Sequence, residues 1–518
     1  MIPRAGRYIL DVAVVLALFG GAAIAGASAD EYATPRPELR SSSGSPLLLE
    51  VILEDPPSDL EEIAVRTGSS ELRFDAPRPG TRRAAEDGTA EDPLVLTLTP
   101  FLEPGVYDLE IELRGPRSRV VATFEVGFVD FVWGRDNFRF GNNADYESRV
   151  GDYSQVLSAW LEKRFGSVSD AERALLVHYM YGLFGETPGR CYAFTGSQLL
   201  YDRNPDARPS YVEKTYDIRM RSTRSQREMH ELQLDMVYDY FVAGGAPVEG
   251  RQTLLEVARE LARIRRRIAE GSPVVTGYIS PDLHHAMLVY GYILDRRRGR
   301  VDLLVANNWK SGQDLNLRSV DAEVIRVDLR EAEAGTEEAG EGDLIEWRTR
   351  EGPRRRSPHR MFIVPVRESY DHARQPLERL LAGRFAELRQ QERRIITVEN
   401  AEAAWIAGPD GRSAGYRERR TRSELESVTF DRLKQTTIFE FPAGDELTLG
   451  FVPVDGEEVR LFYAAPGTAA GTERGWITTV ETADDDQTAD DDDDDDDEEE
   501  SRARLLRLGR EGPSFLER

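Results

Sequence analysis

Cysteine is almost missing from this 518-residue chain, with Cys191 as its one thiol. A single thiol closes no intramolecular disulfide, so the fold must be held by its cores and the thiol needs its own explanation. Lysine is nearly as scarce: only Lys163, Lys214, Lys310 and Lys434 occur, although lysine and arginine together number 67. There is no basic excess. The formal net charge is -26, which argues against nucleic acid and anionic membrane surfaces as partners. The six histidines show no paired metal-ligand spacing and there is no Gly-rich phosphate loop, so neither a metal site nor a cofactor is expected.

What is present begins with Arg4 and Arg7, an apolar run from Val12 to Ile24, and Ala27-Ser28-Ala29 before Asp30. This is the layout of a signal peptide over 1–29, and it predicts an exported, periplasmic or extracellular protein. A retained N-terminal anchor is the second choice, because Gly20 and Gly21 interrupt a run barely long enough to span a bilayer. Near the other end, "DDDQTADDDDDDDDEEE" at 484–500 is an acidic low-complexity run. Its self-repulsion predicts a solvated spacer, and it lacks the spaced ligands and glycine of a calcium loop.

Between these ends three patterns follow one another. After a linker at 30–45, residues 46–132 hold short apolar runs separated by turn residues. In "GVYDLEIELRG" the residues Tyr107, Leu109, Ile111 and Leu113 share one face, with Asp108, Glu110 and Glu112 on the other. Such alternation predicts an N-terminal immunoglobulin-like β-sandwich. Residues 133–368 change to helical periodicity at 154–165, 170–184, 229–241 and 251–271, followed by strand-like runs from 273, 285, 300 and 359, the order of an α+β domain. A helical connector at 369–393 leads to a C-terminal β-sandwich at 394–482, and an acidic tail with a basic end occupies 483–518.

The thiol sits in "GETPGRCYAFTGSQLL", where the residues from Cys191 onward have a helix-like start. A thiol there faces the positive end of the helix dipole, and with a histidine nearby it is expected to ionise near neutral pH. "HHAMLVYGY" supplies His284 and His285 on opposite faces of a strand, and His285 is the better partner. One strand later, "LLVANNWKSG" supplies Asn307 and Asn308, where a side-chain amide could accept the ring N–H of His285 and fix its tautomer.

"GRCYAF", "HHAMLVYGY" and "VANNWKSG", in that order, resemble the papain-like cysteine peptidases over at most the middle 230 or so residues. The resemblance implies Cys191 as nucleophile, His285 as general base and acid, Asn307 as the orienting amide, and Trp309 as the indole shielding that amide. The short Cys-to-His separation is similar to that of the compact bacterial branch, the bacteriocin-leader peptidases. The glutamine that serves the family's oxyanion hole falls on Gly185, and Pro188 replaces the family's preceding cysteine. Asn142 or Asn143 is expected to supply the missing amide. The whole is then an exported thiol hydrolase acting on a peptide or protein substrate, with its β-sandwich domains free to contact envelope or extracellular proteins. A catalytically inactive binding or envelope-assembly protein is the alternative, as is a transglutaminase-like acyl transferase using Asp302 as third member.

Overall fold

The computed structural model describes residues 37–515 except 43–47, 54–58, 69, 76–93, 99–101, 139–152, 185–190, 209–211, 219–222, 245–250, 281–282, 309–322, 330–343, 350–351, 354–357, 368, 371, 418–419, 434, 444–445, 455–456, 469–471, 481–502 and 510–511. The expected signal peptide and the acidic run therefore lie outside the described residues. Among the described residues no helix is long and apolar enough to cross a membrane. The fold is mixed α/β with mostly antiparallel sheets. Six α-helices occur among the described residues: α1 Tyr153–Phe165, α2 Asp170–Phe184, α3 Cys191–Arg203, α4 Thr223–Val237, α5 Leu254–Ala269 and α6 Arg374–Gln390. The chain divides into two compact units, Met1–Asp145 with Arg190–Tyr240 and Ala246–Ser369, and Tyr146–Gly189 with Phe241–Gly245 and Tyr370–Arg518.

The first unit holds strands β1 Glu38–Ser42, β2 Leu48–Leu53, β3 Glu62–Thr67, β4 Ser70–Asp75, β5 Leu94–Leu98, β6 Gly105–Arg114 and β7 Arg119–Phe128. It continues with β8 Val274–Ser280, β9 Leu283–Asp295, β10 Arg300–Ala306, β11 Glu323–Asp328, β12 Ile345–Thr349, β13 Gly352–Pro353 and β14 Arg360–Ile363. Strands β1, β2 and β5 form a three-stranded sheet, so the expected linker at 30–45 already contains a strand. The larger sheet runs β13-β12-β11-β10-β9-β7-β6-β3-β4, with β8 on β9 and β14 on β8. The strands expected to close a separate N-terminal domain thus continue into the central sheet, through the pairing of Phe124–Phe128 with Gly291–Asp295. The physical reason is burial: residues 124 to 128 are covered on both faces, so β7 sits inside a sheet rather than at its edge.

Charge placement in β6 departs from simple alternation. Leu109, Ile111 and Leu113 are buried as expected, but Glu112 is also only 2% exposed. Arg114, Arg119 and Arg66 approach its carboxylate at 2.6, 2.5 and 2.8 Å and hold its pKa down at about 2. A second buried carboxylate, Glu125 of β7, accepts from Tyr292, Arg296 and Arg265, the last on α5. Helix α5 forms as its sequence requires. Thr253 and Glu256 make a capping box, Val257, Leu261, Ile264 and Ile268 recur on the buried face, and Gly271 at φ 77 stops the helix.

The second unit contains strands β15 Arg393–Glu399, β16 Ala401–Ala407, β17 Ser413–Arg417, β18 Arg420–Ser423, β19 Thr429–Leu433, β20 Thr436–Pro442, β21 Leu447–Pro453, β22 Val459–Ala465, β23 Arg474–Val480, β24 Arg504–Gly509 and β25 Gly512–Phe515. They make two antiparallel sheets, β19-β20-β15-β22-β23 and β18-β17-β16-β21-β24-β25. Ile396, Phe439 and Leu461 from one sheet and Ile406, Phe451 and Leu506 from the other share one core. The expected end at 482 is therefore too early, because β24 and β25 beyond the acidic run complete the second sheet.

Helices α1 and α2, expected in the central α+β domain, belong to this second unit. Ser154 Oγ and Tyr181 OH donate to the buried Glu399 of β15 at 2.6 and 2.5 Å. Gly475 of β23 leaves room for the Ala171 backbone, which a Cβ there would meet at 2.3 Å. An amphipathic stripe requires an apolar partner but does not say which one, so the helices were legible and their sheet was not.

Candidate active site

Cys191 opens α3, and its surroundings are built from backbone contacts. Gln233 of α4, itself buried, accepts the Ala193 N–H at 3.0 Å and so satisfies a first-turn donor that has no partner within the helix. Close packing of α3 on α4 depends on Gly196, where a Cβ would stand 2.5 Å from Met236 Sδ. Asn308 Nδ2 donates to the carbonyls of Cys191 at 3.1 Å and of Ala286 at 3.2 Å. The Ala286 N–H is a hydrogen-bond partner of the Cys191 thiol. In an antiparallel strand the N–H and C=O of one residue point to the same side. Both Ala286 groups therefore face the edge of β9 where β10 has ended, and Cys191 takes that place beside the residue following His285.

The expected easy ionisation is not what this environment gives. Cys191 is 2% exposed, and burial pushes its thiol pKa up to about 12 against the smaller opposing effect of the Ala286, Tyr192 and Cys191 backbone N–H groups. Loss of solvation by the charged form outweighs the helix dipole here. The resting group is a neutral thiol.

His285 is fully buried on β9, opposite Tyr278 of β8. Its Nε2 lies 2.9 Å from Asn307 Oδ1. Asn307 Nδ2 donates to Glu323 Oε2 at 2.6 Å, and Trp347 Nε1 donates to the same oxygen at 3.1 Å. The Trp347 indole also stacks on the imidazole, with centroids 5.8 Å apart and planes at 18°. Because the Asn307 amide nitrogen is committed to a carboxylate oxygen, its own oxygen must face His285. The ring then donates from Nε2–H, and Nδ1 is the proton acceptor of the neutral imidazole.

Strand register explains why these residues meet. Val305 pairs with Glu323, and Ile325 pairs with Trp347, so Asn307, Glu323 and Trp347 lie on one face by two-residue periodicity. Between Leu304 and Val305 the pairing of β10 with β9 shifts by one residue, from Leu304 with Gly291 to Val305 with Val289. This bulge puts odd-numbered residues of both strands on a common face. Asn307 thereby joins His285, while Asn308 falls on the other side with Ala286.

The structure thus brings His285 and Asn307 together and sets Cys191 against Ala286. Asn142, Asn143, Gly185, Pro188 and Trp309 lie outside the described residues. Among the described residues, the indole against the imidazole is that of Trp347. Asp302 is held by Arg326 through two 2.8 Å bonds and sits opposite Ile293, far along β9 from His285. His284 is half-buried, and burial lowers its pKa. His178 and His372 belong to the second unit, where burial holds the His178 pKa down at about 4. Among the described residues no group of three or more His, Cys, Asp or Glu side chains could hold a metal ion.

Sequence reasoning missed Gln233, Glu323 and Trp347; it named Asn308 beside Asn307 but not its bonds to the Cys191 and Ala286 carbonyls. Only Glu323 had a readable signal: in "EVIRVD" it occupies the position that alternation assigns to the buried face, beside Ile325 and Val327. Compared with protein-family models, with curated proteins and with solved structures, the chain matches none.

Proposed function

We propose that this chain is an exported thiol hydrolase with a papain-like centre, flanked by an immunoglobulin-like N-terminal region and a C-terminal β-sandwich, and that it cleaves a peptide or amide bond. The observation that carries this reading is the His285–Asn307–Glu323 chain, which leaves Nδ1 as the base nitrogen in a residue adjacent to the one touching the Cys191 thiol. A peptide or protein substrate fits this chemistry, and envelope or extracellular proteins fit the flanking regions. Export rests on the signal-like start of the sequence.

The high thiol pKa decides the form of the first step. With no standing thiolate, His285 Nδ1 takes the proton as Sγ attacks the carbonyl, giving an imidazolium that Asn307 Oδ1 stabilises through Nε2–H. Backbone N–H groups at the start of α3, those of Cys191 and Tyr192, would serve the developing oxyanion. The proton then passes to the leaving amine, a thioester forms on Sγ, and water deprotonated by Nδ1 releases the acid. A second reading, a catalytically inactive binding module, is favoured by the sealed thiol. Acyl transfer of the transglutaminase kind loses its aspartate, since Asp302 is committed to Arg326.

An activated ester tests this without knowledge of the natural substrate. Incubation with p-nitrophenyl acetate is expected to acylate Cys191 in the folded protein and then turn over, and Cys191→Ala is expected to abolish both. Added amine separates hydrolysis from transfer by the product formed. A thiol that reacts only after unfolding would make the binding module the better reading.

A further inference from the structure

We infer that Glu323 is a positioning residue of this site, a carboxylate that locks the Asn307 amide and thereby decides which nitrogen of His285 carries the proton. Its purpose rests on the thiol-hydrolase reading, but its geometry does not. Glu323 is the first residue of β11 and is buried; one oxygen, Oε2, receives both the Asn307 amide N–H and the Trp347 indole N–H. Trp347 in turn lies flat against the His285 ring, so ring, amide, carboxylate and indole close on one another across β9 to β12.

An asparagine alone does not specify a tautomer. Its amide can present oxygen or nitrogen to the imidazole, and the ring responds by donating from Nε2 or by accepting there. With nitrogen presented, the proton would move to Nδ1, and the ring would have no base nitrogen to offer a thiol. The Glu323 oxygen removes that choice: turning the amide over would set Asn307 Oδ1 against Glu323 Oε2, two acceptors at hydrogen-bond distance. Trp347 keeps the carboxylate from rotating away. Glu323 therefore acts through Asn307 and touches no substrate.

The test is the tautomer of His285, read from imidazole nitrogen resonances of the histidine-labelled full-length protein at mildly alkaline pH and assigned by their loss in His285→Ala. The parent is expected to show a single Nε2–H tautomer. Glu323→Gln should retain it, since one amide oxygen can accept both N–H groups. Glu323→Ala should show a mixture of both tautomers, and Glu323→Met, which fills the volume without acceptor oxygens, should do the same where the alanine variant fails to fold. An unchanged single tautomer in the alanine or methionine variant would overturn the inference while leaving any acylation of Cys191 standing. Conversely, an ester that never acylates Cys191 would remove the hydrolase reading and leave the tautomer result intact.

Discussion

His285→Ala is expected to lower the turnover of p-nitrophenyl acetate by about a hundred- to ten-thousandfold, the range usual for loss of a positioned acid–base group. The effect should be near the upper end because the Cys191 thiol is neutral at rest, its pKa pushed up to about 12 by burial. A thiol already ionised needs its histidine as an acid for the leaving group and as a base for water in deacylation; a neutral one needs it also to take the thiol proton during attack. Both acylation and deacylation should therefore slow, which burst kinetics resolve separately. A variant impaired only in deacylation would mean that the thiolate forms without His285.

Trp347→Ala is expected to destabilise the first unit by about 3–5 kcal/mol, measured by denaturant unfolding. Trp347 is fully buried and is the largest side chain in that state among the described residues. Its removal leaves a cavity against the His285 ring and takes one donor from Glu323. Trp347→Phe keeps most of the apolar contact and loses the N–H, so its cost should be nearer the roughly 1 kcal/mol of a single hydrogen bond. Equal losses in the two variants would place the stabilisation in the hydrogen bond rather than in packing.

The parts of the site that were legible in the sequence are those whose residue types are locally distinctive. A lone cysteine at a helix start, a histidine at the head of an apolar strand and an Asn-Asn pair after the next strand can each be found by reading along the chain. The choice between Asn307 and Asn308 turned on a β-bulge at which β9 moves from Gly291 to Val289 across one step of β10; Gly291 is a cue that a bulge is near, but one glycine does not give the register beyond it. Glu323 and Trp347 lie on later strands and meet His285 only through register. The ionisation of Cys191 was misjudged because helix position can be read from sequence, whereas depth of burial is a tertiary quantity.

The same division holds for the fold. The strands of 46–132 and the helices at 153–184 followed from alternation and helical spacing, but their sheet partners did not. β7 is buried on both faces and joins β9, and Ser154 and Tyr181 find their shared acceptor in Glu399 more than 200 positions along the chain. β24 and β25 follow an acidic run and are short, so nothing nearby marked them as the completing strands of a sheet.

The measurement closest to the central claim is the rate of alkylation of Cys191 against pH in the parent and in His285→Ala. With His285 as the base for a neutral buried thiol, the parent rate should rise as the imidazole loses its proton and then level off well below the thiol value of about 12. In His285→Ala that plateau should vanish, leaving a slow rate that climbs about tenfold per pH unit toward the thiol value of about 12. Identical profiles in the two proteins would contradict the coupling of Cys191 to His285.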